Sequence, residues 1–311
     1  MKKYFYAILM FSAFFAFSCS SSKQARAEEQ TPVDQVIPEL TKILQIDDNK
    51  YSCSFDDIVH DFIIDLPQVI ENAPLVIMLP GYNNTAEAMR SNFTFEKEAC
   101  QKGYAVVYVT GSVQQGDKIR TGIGWNSGIS SQGNKDLQFI VALTEYLQQK
   151  YSFDSSRTFA IGFSNGGFMV HRLAMEAGDV FDACVSVGAK MPAKIWDERN
   201  EKNHIGYFQI TGSKDEVVPK NSDGSARYTK DPAIEDVMDY WASSNGLTKQ
   251  IQEEIGDGSI LFKWQSADED KKSVQVWHLL VKDGHHSWPS MLYNKIDTNS
   301  LILDFLDYWN Y

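Results

Sequence analysis

The sequence predicts an α/β fold, a mostly parallel central sheet with helices on both faces. Three observations carry that expectation. Short apolar runs recur at Pro74–Leu79, Tyr104–Val109, Arg157–Ile161, Ala183–Val187 and Ile205–Ile210. Runs of this length and composition suit strands buried on both sides. Between them lie stretches with apolar residues at helical spacing, as in Leu137, Ile140, Val141, Leu143, Tyr146 and Leu147, and strand alternating with helix is the pattern of parallel crossover units. Finally, Arg157–Ile161 runs into Gly162-Phe163-Ser164-Asn165-Gly166, and a helical pattern opens at Gly167. A strand, a glycine turn and a helix in immediate succession put a serine at the carboxyl end of a central strand.

Taken in order, the chain begins with a segment that is not part of the fold. Met1-Lys2-Lys3 followed by the apolar run Tyr4–Phe17 reads as an export signal, too short to span a bilayer. Two processing sites compete within residues 1–27. Cys19 ends the apolar run as a lipid-modified cysteine does, with a serine-rich tether behind it, and Ala25-Arg26-Ala27 fits ordinary signal cleavage. The expectation is an exported protein, lipid-anchored through Cys19 or else secreted or periplasmic. Residues 28–50 are a polar linker with an amphipathic stretch, Val36–Leu44, expected to form a short helix. Residues 51–311 are then expected to form one α/β domain. Its expected strands are Ile58–Leu66, the five apolar runs and Val274–Leu280, and its helices Thr85–Gln101, Asn134–Lys150, Pro232–Ser244 and Ser300–Tyr308. A long loop rich in Gly, Ser and Asn spans Thr110–Gly133.

A net charge of −12, spread along 311 residues, argues against nucleic acid and against an electrostatic grip on anionic membranes. Beyond Cys19 there are three cysteines. Cys184 sits in a strand and reads as packing, whereas Cys53 and Cys100 could pair in an oxidising compartment. No His/Cys cluster has zinc spacing, so neither metal nor cofactor is expected.

The chemistry is carried by three loops. In Gly162-Phe163-Ser164-Asn165-Gly166 the glycines permit a turn that lifts the serine hydroxyl clear of the sheet. A serine nucleophile needs a base held by a carboxylate, and in this arrangement they follow in the order Ser, acid, His. The loop after the strand Tyr207–Ile210 contains Asp215, with Glu216 beside it and Asp223 as a weaker alternative. The loop after the last strand carries the pair His285-His286, and the residues alone leave the choice between them open. His60, His171, His204 and His278 read as core or surface histidines. The oxyanion is expected to meet the backbone N–H of Asn165 and that of Tyr82 in Pro80-Gly81-Tyr82.

These segments resemble the polyhydroxybutyrate depolymerase/feruloyl esterase group of α/β-hydrolases, the carbohydrate esterase 1 or esterase D-like type. The resemblance runs from about Ile58 to Trp309. It rests on Pro74–Gly81, Gly162–Met169, Thr211–Pro219 and Gly284-His285-His286-Ser287-Trp288-Pro289. It implies the α/β-hydrolase fold and a serine esterase. The family's pattern of His, any residue, Trp and Pro selects His286 as the base. Gly124-Trp125-Asn126 looks like the family's Trp-Asn segment beside the substrate cleft, so Trp125, His285 and Trp288 are expected to meet substrate. Pro80-Gly81 stands where the family usually has His-Gly, and His285 where glycine is usual. The implied substrates are feruloyl or acetyl esters of plant polysaccharide, on which Trp125, Trp196 or Trp288 could stack. Polyhydroxyalkanoate is the rival substrate, a serine peptidase the rival enzyme, and a surface binding protein without turnover the rival outside catalysis.

Overall fold

The computed structural model describes residues 39–113, 122–128, 135–199, 204–219, 230–267 and 274–309. The export segment, Cys19, the start of the linker and Asp223 lie outside them. The strands are β1 (Thr41–Gln45), β2 (Lys50–Phe55), β3 (Ile58–Asp65), β4 (Leu75–Leu79), β5 (Ala105–Val109), β6 (Ser112–Val113) and β7 (Ile123–Gly124). They continue with β8 (Thr158–Phe163), β9 (Ala183–Val187), β10 (Gly206–Gly212), β11 (Lys249–Ile255), β12 (Ser259–Gln265) and β13 (Val276–Val281). The helices are α1 (Ala86–Phe93), α2 (Glu96–Ala99), α3 (Asp136–Tyr151), α4 (Asn165–Glu176), α5 (Ala193–Asp197), α6 (Ile234–Ser244) and α7 (Thr298–Leu306).

Eleven strands form one sheet in the order β1-β2-β3-β5-β4-β8-β9-β10-β13-β12-β11. The six from β5 to β13 run parallel, and antiparallel strands extend both edges. Alternation along each central strand divides the core in two. Leu75, Ile77 and Leu79 of β4 pack with α3, α4 and α6 through Leu143, Met169 and Trp241. Val76 and Met78, pointing the other way, pack with α1, α2 and α7 through Met89, Ala99 and Phe305. Both faces are covered, which is why the central strands carry largely apolar runs, unbroken in β4 and β5.

Several expectations are corrected. Thr41–Gln45, placed in a short helix by its amphipathic pattern, is a strand paired antiparallel to β2; a period read over so few residues does not separate the two states. The helix expected over Thr85–Gln101 breaks at Thr94, whose φ of 46° closes α1 with a left-handed cap. Strands β2, β11 and β12 were not anticipated, and β11 is the last strand at its end of the sheet. Nearly every residue of β11, Lys249-Gln250-Ile251-Gln252-Glu253-Glu254-Ile255, faces outward, so it lacks an apolar pattern. Ser112–Val113 and Ile123–Gly124 pair within the expected loop. Cys53 and Cys100 are both free thiols. Cys53 belongs to one half of the core and Cys100 packs on the other, so the sheet separates them and no disulfide geometry is within reach.

Candidate active site

Ser164 stands between β8 and α4 with φ 52° and ψ −117°, a conformation rare for any residue with a Cβ. Its neighbours make that turn possible. A Cβ on Gly162 would lie 2.2 Å from the carbonyl oxygen of Gly166, and one on Gly166 would lie 1.9 Å from that of Leu79. The elbow is therefore closed to side chains on both sides, and it stores strain of about 1–3 kcal/mol held by the surrounding sheet. The backbone N–H of Ser164 donates to Val187 O at 2.9 Å, pinning the turn to the next strand.

Three parallel strands bring the partners together. Asp215 follows β10, and His286 follows β13. His286 Nε2 lies 2.9 Å from Ser164 Oγ, and Nδ1 lies 2.8 Å from Asp215 Oδ2. The Asp215 side chain is 1% exposed, and its other oxygen accepts from the N–H groups of Val217 (2.9 Å) and Val218 (2.7 Å). A carboxylate fixed in this way keeps the proton on Nδ1, leaving Nε2 to accept from the serine. Glu216 turns outward and meets His285 at 3.1 Å, both exposed, and Lys214 meets Asp283 at 2.7 Å. The two loops are thus joined by three side-chain pairs, of which one reaches the serine. The Glu216 carboxyl lies below its ordinary range, held first by its own backbone N–H and then by His285.

The loop after β4 abuts the nucleophile: a Cβ on Gly81 would sit 3.3 Å from Ser164 Cβ. Among the described residues, neither the N–H of Tyr82 nor that of Asn165 donates to a protein acceptor. Asn165 is also the first residue of α4, where the helix dipole favours negative charge. The loop that carries Tyr82 and the N-terminus of α4 therefore both adjoin Ser164.

Trp125, expected to meet substrate, is a correction. It is 1% exposed, and its indole N–H donates to Pro80 O at 3.0 Å. Its backbone N–H donates to Asn165 Oδ1 at 2.7 Å, while Asn83 N–H donates to Ile123 O at 2.8 Å. The segment is a strut that ties the loop after β4 to the start of α4. Gly124 belongs to it, since a Cβ there would lie 2.6 Å from Asn165 Oδ1. His285 faces Glu216 on the surface rather than the hollow beside the serine. Trp196 lies apart, beneath Arg199 at 4.0 Å.

Trp288 does line a hollow of about 610 Å³ that opens beside His286. Its ring stacks on Phe93 at 4.4 Å, and its N–H donates to Asn299 Oδ1 at 3.2 Å. The far wall is the bend Asn92-Phe93-Thr94 between α1 and α2. Sequence reasoning did not find this wall; its only signal is Thr94, which reads as an ordinary helix residue. Two buried histidines away from the site, His60 and His171, are kept neutral by burial. Burial lowers His60 to about 4 and His171 to about 3, and His171 is held by the Tyr207 hydroxyl, 2.6 Å from its Nδ1. Among the described residues no group of three His, Cys, Asp or Glu side chains could hold a metal ion, and no helix is long and apolar enough to cross a membrane.

Known proteins resemble this chain in the same sense. Residues 91–228, which include Ser164 and Asp215, match the prolyl oligopeptidase family. A putative esterase, NocK, of Nocardia uniformis is 23% identical over 72% of this chain and 67% of its own length. A feruloyl esterase B of Thermothelomyces thermophilus is 29% identical over 37% of this chain and 39% of its own length, so the chain spans well under half of that relative. The solved acetyl xylan esterase of Aspergillus awamori superposes with a TM-score of 0.54 at 15% identity, covering 80% of this chain and 94% of that one, which shows the fold. With the glycine elbow at the end of β8, these relatives support a serine esterase of the α/β-hydrolase fold, similar to feruloyl esterases and to a poly(3-hydroxyalkanoate) depolymerase.

Proposed function

We propose that this esterase works through Ser164, His286 and Asp215, with the N–H groups of Tyr82 and Asn165 as the oxyanion hole. The observation that carries the reading is the continuous run Asp215 Oδ2, His286 Nδ1, His286 Nε2, Ser164 Oγ at 2.8 and 2.9 Å. Ser164 Oγ bonds to the acyl carbon as its proton passes to His286 Nε2, and the carbonyl electrons move onto oxygen between the two N–H groups. When the tetrahedral species collapses, the C–O bond to the alcohol breaks and the leaving oxygen takes the proton from Nε2. Water repeats the sequence, freeing the acid and restoring the serine. Asp215 keeps the imidazole oriented and stabilises the imidazolium that forms at each half-reaction.

The proposed substrates are feruloyl or acetyl esters attached to plant polysaccharide, in keeping with the feruloyl esterase relative and with a hollow that mixes aromatic rings and amides. Polyhydroxyalkanoate is the alternative ester. Export, with anchoring through Cys19, is part of the same proposal, and incorporation of labelled lipid that is lost in Cys19→Ala tests it. The prolyl oligopeptidase match favours a second reading, amide cleavage by the same residues. Turnover of methyl ferulate, p-nitrophenyl acetate, a soluble hydroxybutyrate oligomer and peptide anilides separates these readings. Ester turnover abolished in a folded Ser164→Ala protein is the expected result. Turnover near wild type in that variant would falsify the assignment of Ser164.

A further inference from the structure

The two end strands of the large sheet differ in kind. At one end β1 is irregular: its register against β2 shifts between Thr41 and Leu44, and Lys42 has a φ of 50°. Such a kink spoils a strand as a template for pairing with another. At the other end β11 is seven residues long and pairs with β12 in unbroken register, from Lys249 opposite Gln265 to Ile255 opposite Ser259. It contains no proline, and among the described residues no strand lies on its outer side.

Charged side chains on an edge strand normally repel a second copy. Those of β11 are placed to attract one. Turned about Ile251, the segment Lys249-Gln250-Ile251-Gln252-Glu253 complements itself. Laid antiparallel to a second copy, Ile251 faces Ile251, Gln250 faces Gln252, and Lys249 faces Glu253 on both sides of the centre. Directly opposed residues of antiparallel strands share a face of the sheet, so each of these pairs meets. All five side chains are exposed. Glu253 also meets Lys263 of β12 at 2.7 Å, so the second copy's Lys249 arrives beside a carboxylate already held in place. Moving the centre to Gln252 would set Ile251 against Glu253 and Lys249 against Ile255, losing the ionic pairs and the apolar one together. We infer that β11 is a homodimer surface: two copies join edge to edge through antiparallel β11 strands centred on Ile251, continuing one sheet across the pair. The two-fold axis then stands perpendicular to the sheet. Ser164, Asp215 and His286 follow the carboxyl ends of β8, β10 and β13, so the two active sites open on opposite sides of the dimer.

Sedimentation velocity of the full protein across the micromolar range should show a reversible dimer. Lys249→Glu and Glu253→Lys each set like charges opposite one another at both ends of the segment, and each should weaken self-association about tenfold or more. Mixed together, the two variants present glutamates to lysines and should associate within about threefold of the wild type. A thermal melt of each variant, close to that of the wild type, shows that weakened association is not unfolding. Three results overturn the surface: a wild type that stays monomeric or forms a larger assembly, single variants that dimerise as the wild type does, or a mixture that stays apart. None of these depends on the esterase reading, which ester turnover by the same samples tests separately.

Discussion

Trp125→Phe separates two roles for the same side chain. The indole N–H and Pro80 O form a buried bond at 3.0 Å. Phenylalanine keeps most of the packing but leaves that carbonyl without its donor. An unpaired buried carbonyl costs about 1–3 kcal/mol, and the missing half of the indole adds about 1 kcal/mol of lost packing. In a domain of this size that sum lowers Tm by roughly 4–12 °C. The kinetic effect follows from what Pro80 precedes. Complete loss of one oxyanion donor costs about 10²–10³ in kcat. A loop that still carries its N–H but has lost its strut should forfeit less, about tenfold to a hundredfold. Because Trp125 is buried, KM should hardly move. Steady-state kinetics on a methyl and a bulkier ester, alongside a thermal melt, read both quantities. A raised KM on the bulkier ester with kcat intact would show Trp125 meeting substrate, and the strut argument would fail.

The remaining predictions concern the two carboxylates and the buried histidines. Asp215→Asn should keep the fold and lower kcat by roughly 10⁴, since the amide no longer holds the tautomer that leaves Nε2 free; Glu216→Gln, on the exposed pair with His285, should leave kcat within about twofold. Equal losses in the two variants would mean that the acid has been misassigned. His171 and His60, lowered to about 3 and about 4 from an ordinary 6.5, stay neutral in the folded protein. Unfolded chains take up their protons below 6.5, so the stability these histidines contribute is present above that pH. It is lost as pH falls toward 4, by roughly 1.4 kcal/mol per pH unit for each. Urea unfolding at pH 7, 6 and 5 measures the slope, and a flat profile would contradict their burial as neutral rings.

The parts of this molecule that are local in sequence were legible in advance. The central strands announce themselves because burial on both faces makes them largely apolar. The elbow does so because Gly162 and Gly166 are required by contacts with residues only a few positions away or on the adjacent strand. Edge strands were harder: β11 has one partner and an exposed surface, so nothing selects an apolar pattern in it. Thr94 ends α1 through a left-handed backbone that no glycine marks. Trp125 was read as a ligand contact because an aromatic residue in a polar loop looks exposed. Its burial comes from Pro80 and Asn165, each at least 40 positions away.

What the sequence determined by itself was the central strands, the main helices between them and the serine at the turn, since hydrophobic period and backbone sterics act over a few residues. The residue pattern left His285 and His286 equal, and the family resemblance preferred His286. Only the tertiary structure put one at 2.9 Å from Ser164, across 122 positions of chain, and turned the other toward Glu216. It likewise kept Cys53 from Cys100 and opened the hollow beside Trp288. Those outcomes depend on which strands lie side by side in the sheet, and adjacency of distant segments is decided by packing of the whole core rather than by any one segment's composition.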